Sequence, residues 1–353
     1  MGGMTRQMAG SLAVLGMCAG AVCAPSAAER DNWWGDIPGF MDRQRHLALE
    51  SAAETLDRVP PVPGAVPERR TALLLLDTLL HEPDAPEQPA VQAFFRDRTR
   101  AVAEALKGGP VTEGARIWRL YNHGFIVRTA EATLAFDVVT GAHLEKEGFR
   151  LPGDVVADFV RECDVLFISH LHDDHADPAV AEAFVRAGKP VAVPGDLWDD
   201  APFAAGLTRL ARDAGAAQPL PVRDGALRLE VVNFPGHQGK ALVNNVTLVT
   251  TPGGLAFAHT GDQSNDADFS WIDKAGDSRR VDVLLPNCWS PDLPRVVAGF
   301  RPAVVIPGHE NELGHTLDHR EPYWLTYPRL GDALPRAVLM AWGECYSYLP
   351  KDR

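Results

Sequence analysis

The sequence predicts an α/β fold with a mostly helical N-terminal extension, and three observations point to it. A chain of 353 residues, 46% hydrophobic and 23% charged, has ordinary globular composition, with enough apolar material for one large core and an appendage. Residues 31–109 place apolar side chains at helical spacing between proline breaks. From Val111 onward, short apolar runs alternate with helical stretches, and the runs end in a histidine, an aspartate or a polar cluster.

The chain starts with an uncharged stretch, Gln7 to Ala28, behind Arg6. Its apolar middle is shorter than the ~20 residues a spanning helix needs, so residues 1–28 read as a secretory signal peptide. Small Ser26 and Ala28, with Pro25 breaking the helix upstream, place the cut after Ala28. Export to a periplasm or the exterior follows, with no stable membrane insertion afterwards. Removal of Arg6 moves the formal net charge from -13 to -14, which argues against nucleic acid or another polyanion as partner and leaves a small-molecule substrate. Cys163, Cys288 and Cys345 remain after cleavage. Three cysteines make no disulfide framework, and a single bridge between two of them is left open.

Residues 29–110 form the extension. "FMDRQRHLALESAAETLDRV", "TALLLLDTLLHE" and "PAVQAFFRDRTRAVAEALKGG" read as helices, with "VPPVPGAVPERR" a stiff linker. Residues 111–353 form the domain that carries chemistry. There "ARIWRLYNHGFIVRTAEATLAFDVV" reads as strands with short turns and "DVLFISH" as a buried strand. "DPAVAEAFVRAG", "FAAGLTRLARDAG" and "PDLPRVVAGF" read as helices between further strands. Strands that all end in polar clusters bring those clusters to one edge of the sheets.

His170, His172, Asp174 and His175 crowd the end of the "DVLFISH" run. On an extended turn residues two apart face the same way, so His170 and His172 suit one ion. Asp174 and His175 point differently and suit a second. Imidazole with carboxylate favours zinc, and manganese or iron accept the same donors. Downstream, His237 in "FPGHQGK", Asp262 in "FAHTGDQ" and His309 in "VVIPGHE" each follow an apolar run beside a glycine that permits a tight turn.

With "HLHDDH", "PGHQG", "HTGD" and "IPGHE" in this order, the chain from about Thr112 to its end resembles the metallo-β-lactamase superfamily of metallohydrolases. The resemblance implies a four-layer αββα sandwich with two metal ions at one edge of the sheets. Carried over residue by residue, it implies that His170, His172 and His237 hold the first ion, that Asp174, His175 and His309 hold the second, and that Asp262 bridges them. The chemistry agrees: two such ions lower the pKa of a shared water, giving a metal-bridging hydroxide that attacks an electrophilic carbon or phosphorus while Asp174 orients it and takes its proton. Asp177 in "DHADP" is more similar to the ascorbate-phosphate lactonase-like and N-acylethanolamine-releasing phospholipase D group than to other branches.

Around these positions, His123, Lys240, His259, Asn287, Trp289 and Glu310 are the candidates for a substrate pocket or for orienting the ligands, with Glu312 and His315 on the same loop as Glu310. Lys240 is the one cation close in sequence to a ligand. A phosphate substrate asks for more, so the reading favours an ester, lactone or amide. A phosphodiesterase of the same fold, a mononuclear iron oxygenase of the persulfide type, and a non-catalytic binding protein are the alternatives.

Overall fold

The computed structural model describes residues 32–350, so the expected signal peptide lies outside the described residues. Two mixed sheets form the centre. The first runs β1 (Ala115–Arg119), β2 (Phe125–Thr129), β3 (Thr133–Phe136), β4 (Val165–Phe167), β5 (Val191–Ala192) and β6 (Leu207–Thr208). The second contains β7 (Gln218–Val222), β8 (Leu227–Gln238), β9 (Leu242–Thr250), β10 (Ala256–His259), β11 (Val283–Leu285) and β12 (Val304–Val305). The final strand, β13 (Cys345–Tyr348), returns to the first sheet beside β1.

Each sheet is an antiparallel meander that continues into parallel strands. In the first sheet β3, β4, β5 and β6 are parallel; in the second β10, β11 and β12 are. Two-residue alternation sorts the side chains. Ile117, Phe125, Val127, Phe136 and Phe167 face Val231, Val249, Phe257, Leu285 and Ile306 between the sheets. Their neighbours Trp118, Ile126, Leu166, Phe234, Leu248 and Leu284 face outward into the helices. Both sheet faces are therefore apolar, and the four-layer αββα sandwich is the result.

The helices are α1 (Ile37–Arg58), α2 (Pro67–Leu80), α3 (Pro89–Leu106), α4 (Gly153–Glu162), α5 (Pro178–Arg186), α6 (Phe269–Ile272), α7 (Leu293–Phe300) and α8 (Tyr323–Arg329). The three helices expected before residue 110 are present, each with a proline in its first turn, where the missing N–H costs nothing. One expected helix is absent. Residues 203–215 hold a short 3-10 turn and then β6, which pairs with β5 at the edge of the first sheet. Gly206 there passes α5 so closely that a Cβ would lie 2.3 Å from the Val185 side chain. Cys163, Cys288 and Cys345 are all free. Among the described residues no helix is long and apolar enough to cross a membrane.

The N-terminal helices are built into the sandwich. Phe95 of α3 stacks on Phe149 at 4.1 Å and meets the rings of Tyr121 and Trp342 edge-on. Arg69 of α2 is buried and donates through both Nη atoms to Glu344 at 2.8 Å, with Leu339 O a further acceptor. Asp77, also on α2, accepts from Asn311 Nδ2 (3.0 Å), Tyr323 N (2.9 Å) and Trp324 N (3.1 Å). Burial outweighs these hydrogen bonds and pushes its carboxyl up to about 6.

Folded Asp77 thus keeps its proton where the unfolded chain has lost it. Its stabilising contribution is present below about pH 4 and lost as pH rises through 6, a change on the order of 3 kcal/mol. Urea unfolding between pH 4 and 7 should show this fall, and Asp77→Asn should flatten it. An unchanged pH profile in the variant would assign the slope to other groups.

Candidate metal centre

The donor residues sit where strands of both sheets end. Asp137 follows β3, the segment from Ser169 to Asp177 follows β4, Asp262 follows β10, Asn287 follows β11 and His309 follows β12. The two sheets touch here. Asn245 N of β9 donates across to Ser169 O at 2.8 Å, and within the second sheet Asp262 N donates to Asn244 Oδ1 at 3.0 Å. Gly261, at φ 51°, passes between them, and a Cβ on it would lie 2.2 Å from Asn244 Oδ1 and 2.4 Å from the Ser169 Cβ. The glycine of "HTGD" is there because only glycine fits both the backbone angle and the gap.

Among the described residues, donor atoms fall into four overlapping groups of three, and His123 takes part in two of them, with His175 and Asp262 and with Asp137 and His259. In the other two, ligand atoms of His170, His172 and Asp262 all lie within 4.8 Å of one another, as do those of Asp174, His175 and His309. Asp262 faces both groups. Its carboxylate oxygens are 3.7 Å from His170 Nε2, 3.3 Å from His175 Nε2 and 3.4 Å from His309 Nε2. Asp174 Oδ2 is 3.4 Å from both His175 Nε2 and His309 Nε2.

These separations exceed ordinary N–H···O hydrogen-bond lengths. They match the ~3.3 Å edge of a tetrahedron of donors with bonds of about 2.0–2.1 Å to a central zinc. His170 Nε2, His309 Nε2 and Asp262 Oδ1 are buried without a hydrogen-bond partner. Buried polar atoms left unpaired cost about 1–3 kcal/mol each, and cations held by the two donor groups would satisfy all three. The residues present therefore fit a bound metal.

The histidines are aimed by their other nitrogens. His175 Nδ1 donates to Asp137 Oδ2 at 2.7 Å, and His170 Nδ1 lies 3.0 Å from Ser169 Oγ. Asp137 also accepts from Ser169 N (2.8 Å) and Ser169 Oγ (2.6 Å). Asn122 Nδ2 donates to Asp174 Oδ2 at 2.9 Å and to Asp174 O at 3.0 Å. Such outer partners fix ring tautomers and carboxylate rotation. Asp137 and Asn122 escaped the sequence reading. The signal for Asp137 was the same as for Asp262, an aspartate straight after an apolar strand.

Electrostatics separates the two groups. Burial, with His175 nearby, lowers His170 to about 3 and keeps it neutral, the form that ligates. Against the same burial, Asp262 and Asp174 raise His175 well above the ordinary range and His309 to about 10. Opposing their own burial, both carboxylates are held well below the usual range by His175 and His309. Cation binding displaces such protons, so metal affinity rises with pH.

The other predicted positions are distributed unevenly. His237 joins none of these three-residue groups; its Nδ1 pairs with Asp268 Oδ1 at 2.9 Å, and its side chain is 32% exposed. Trp289 does wall the site, its ring perpendicular to that of His309 at 5.7 Å, and His315 stacks on the same ring at 5.4 Å. Asn287 is buried with Nδ2 unpartnered, while its Oδ1 accepts from Trp289 N at 3.0 Å and holds the start of that loop.

His259 is engaged elsewhere: its Nε2 donates to His123 O at 3.0 Å, its Nδ1 accepts from Gly261 N at 3.2 Å, and its ring stacks on Phe136. His123 is fully buried beneath the donors, where burial and the neighbouring His259 depress its pKa well below the usual value. Two pocket candidates are placed differently from the rest. Lys240 is exposed at the β8–β9 turn, where its carbonyl accepts from Asn265 Nδ2. Glu310 is fully buried in an ion pair with Arg119 at 2.7 Å and accepts from Thr326 Oγ1, because its loop turns inward after His309. Asp177, taken as a branch marker, caps α5 through Ala179 N and Val180 N and accepts from Thr140 N.

No family model matches the chain, and no curated protein matches it in sequence. Solved structures do match its fold. Igni18, a metallo hydrolase from the hyperthermophilic archaeon Ignicoccus hospitalis KIN4/I, is similar with a TM-score of 0.51 at 19% identity, over 67% of this chain and 99% of that one. The isothiocyanate hydrolase from Delia radicum gut bacteria aligns with a TM-score of 0.48 at 13% identity, over 66% of this chain and 99% of its own. CmlA, a diiron β-hydroxylase from Streptomyces venezuelae, aligns at 0.48 and 14% identity over 69% of this chain and 55% of its own. The sandwich implied by the motif resemblance is thus the metallo hydrolase fold.

Asp137→Ala removes the acceptor that orients His175 and leaves the Asp174, His175 and His309 side chains in place. Metal affinity, read by competition with a chelator, should fall about 10–100-fold. An unaltered affinity would mean that His175 is positioned by packing alone.

Proposed function

We propose that the protein is an exported binuclear metal-dependent hydrolase that cleaves an ester, lactone or amide bond in a small molecule. One observation carries the binuclear reading: Asp262 stands between two separate donor groups, within 3.7 Å of His170 on one side and within 3.4 Å of His175 and His309 on the other. A binding module has no use for a shared buried carboxylate whose free oxygen has no partner. Export rests on the N-terminal sequence pattern.

His170, His172 and Asp262 would hold one ion, with His237 held nearby by Asp268; Asp174, His175 and His309, with Asp262, would hold the other. Divalent ions bound there supply Lewis acidity and lower the pKa of water. The remaining work falls to this chain's own groups. Asp174 has its Oδ2 fixed by Asn122, while its side chain stays 11% exposed, against 2% for Asp262. Its second oxygen is therefore the carboxylate atom placed to orient a water and receive its proton.

Trp289 and His315 flank His309 and give a substrate one aromatic wall and one polar wall. Arg119 is consumed by Glu310, Lys240 faces solvent, and Arg212 Nη2 is spent on Gly236 O, so none of these three cations is held free for a phosphoryl group. That balance supports a carbonyl substrate over a phosphodiester.

Metal analysis of the purified protein should find about two ions per chain. Asp262→Ala, which removes the donor facing both groups, should lose at least one of them. With Zn²⁺ or Mn²⁺ added, chromogenic esters, lactones and amides should be turned over. Turnover of phosphodiesters alone would reassign the substrate class, and a protein that binds no metal would end the proposal.

A further inference from the structure

His123 is fully buried, and neither of its ring nitrogens has a hydrogen-bond partner. An imidazole carries a donor or an acceptor at each nitrogen, so a buried ring with both unmet has lost the partners it would have in water. Its surroundings are built to hold it in place. The ring lies 4.2 Å from that of His259 and meets Phe125 edge-on at 5.8 Å. Its carbonyl accepts from His259 Nε2, and the preceding residue, Asn122, takes a left-handed φ of 54°.

The same turn is docked on the metal centre from both sides. Asn122 Nδ2 reaches Asp174, and Asn122 O accepts from His309 N at 3.1 Å. One ring nitrogen of His123, one of His175 and a carboxylate oxygen of Asp262 all lie within 4.8 Å of one another. Asp262 Oδ1 is itself without a partner. Three donor atoms, two of them from residues with unmet polar atoms, thus stand together beneath the site.

We propose that His123 is a further ligand of the ion held by Asp174, His175, His309 and Asp262, entering from beneath the site. This rests on the binuclear reading above. It makes the two ions unequal: five side chains serve the buried position, whereas His170, His172 and Asp262 serve the position that opens toward solvent. The buried ion is then bound first and released last, and the outer ion exchanges.

A crystal structure of the wild-type protein loaded with Zn²⁺ tests this directly. The expected result is a His123 nitrogen about 2.0–2.1 Å from one of two ions. Two ions with His123 hydrogen-bonded to a water instead would overturn the inference and leave the binuclear reading standing; no ions would overturn both. In solution, Co²⁺-loaded protein should give stronger visible d–d bands in His123→Phe than in wild type, because one donor fewer lowers the coordination number. Chelator removal from wild type should be biphasic, and the slow phase should quicken at least tenfold in the variant. Identical Co²⁺ spectra count against ligation even if the variant is less stable.

Discussion

Where Gly261 passes Ser169, the two sheets come together through backbone rather than side chains, and that approach fixes the metal centre. Asn245 N on Ser169 O ties β9 of the second sheet to the turn after β4 of the first. Asn244, one residue away, receives Asp262 N and donates to Thr260 O. Asp262 is thereby pressed against His170 and His175, which belong to the other sheet. Any side chain at 261 would force the sheets apart and separate the donors by the same amount. Because interiors are close-packed, such a displacement is not absorbed locally.

The helices before residue 110 share in this precision through the loop after β12. His309 and Asn311 both adopt left-handed backbone angles, φ 80° and 60°, which non-glycine residues rarely take. The loop holds them because it is tied on several sides: His309 N to Asn122 O, Asn311 Nδ2 to Asp77, and Asn311 N to Arg320 O. Arg320 Nη1 in turn donates to Leu80 O and Glu82 O at the end of α2. Beneath them, Glu310 is paired with Arg119 in a fully buried position. Strain of this kind persists only where surrounding structure over-determines it. The extension is therefore one wall of the scaffold that presents His309.

These couplings explain which parts were legible in the sequence. His170, His172, Asp174 and His175 stand in one short segment, so their clustering is visible without any fold. Asp262 and His309 are readable because each follows an apolar strand beside a glycine, and their order matches a known pattern. Asp137 also follows an apolar strand but has no glycine beside it, and Asn122 and Asp268 lack even that signal. Each is one polar residue at a strand end or turn, and its partner lies 31 to 52 positions away. Glu310 misled for the opposite reason: adjacency to His309 suggested the rim, but successive residues on a turn diverge. The segment 203–215 has helical spacing, yet pairing with β5 and the close passage of Gly206 by Val185 override it.

Exposure completes the picture of how the site is approached. His170, His175, His309 and Asp262 are sealed, while His172 and His237 are both partly exposed. A molecule coming from solvent therefore meets the His172 side first. It cannot come from the His175 side, where Asp137, Asn122, His123 and the Phe125–Phe136 wall fill the space. The half-exposed Trp289 edge and the His315 ring lie over His309 and narrow the opening from that direction.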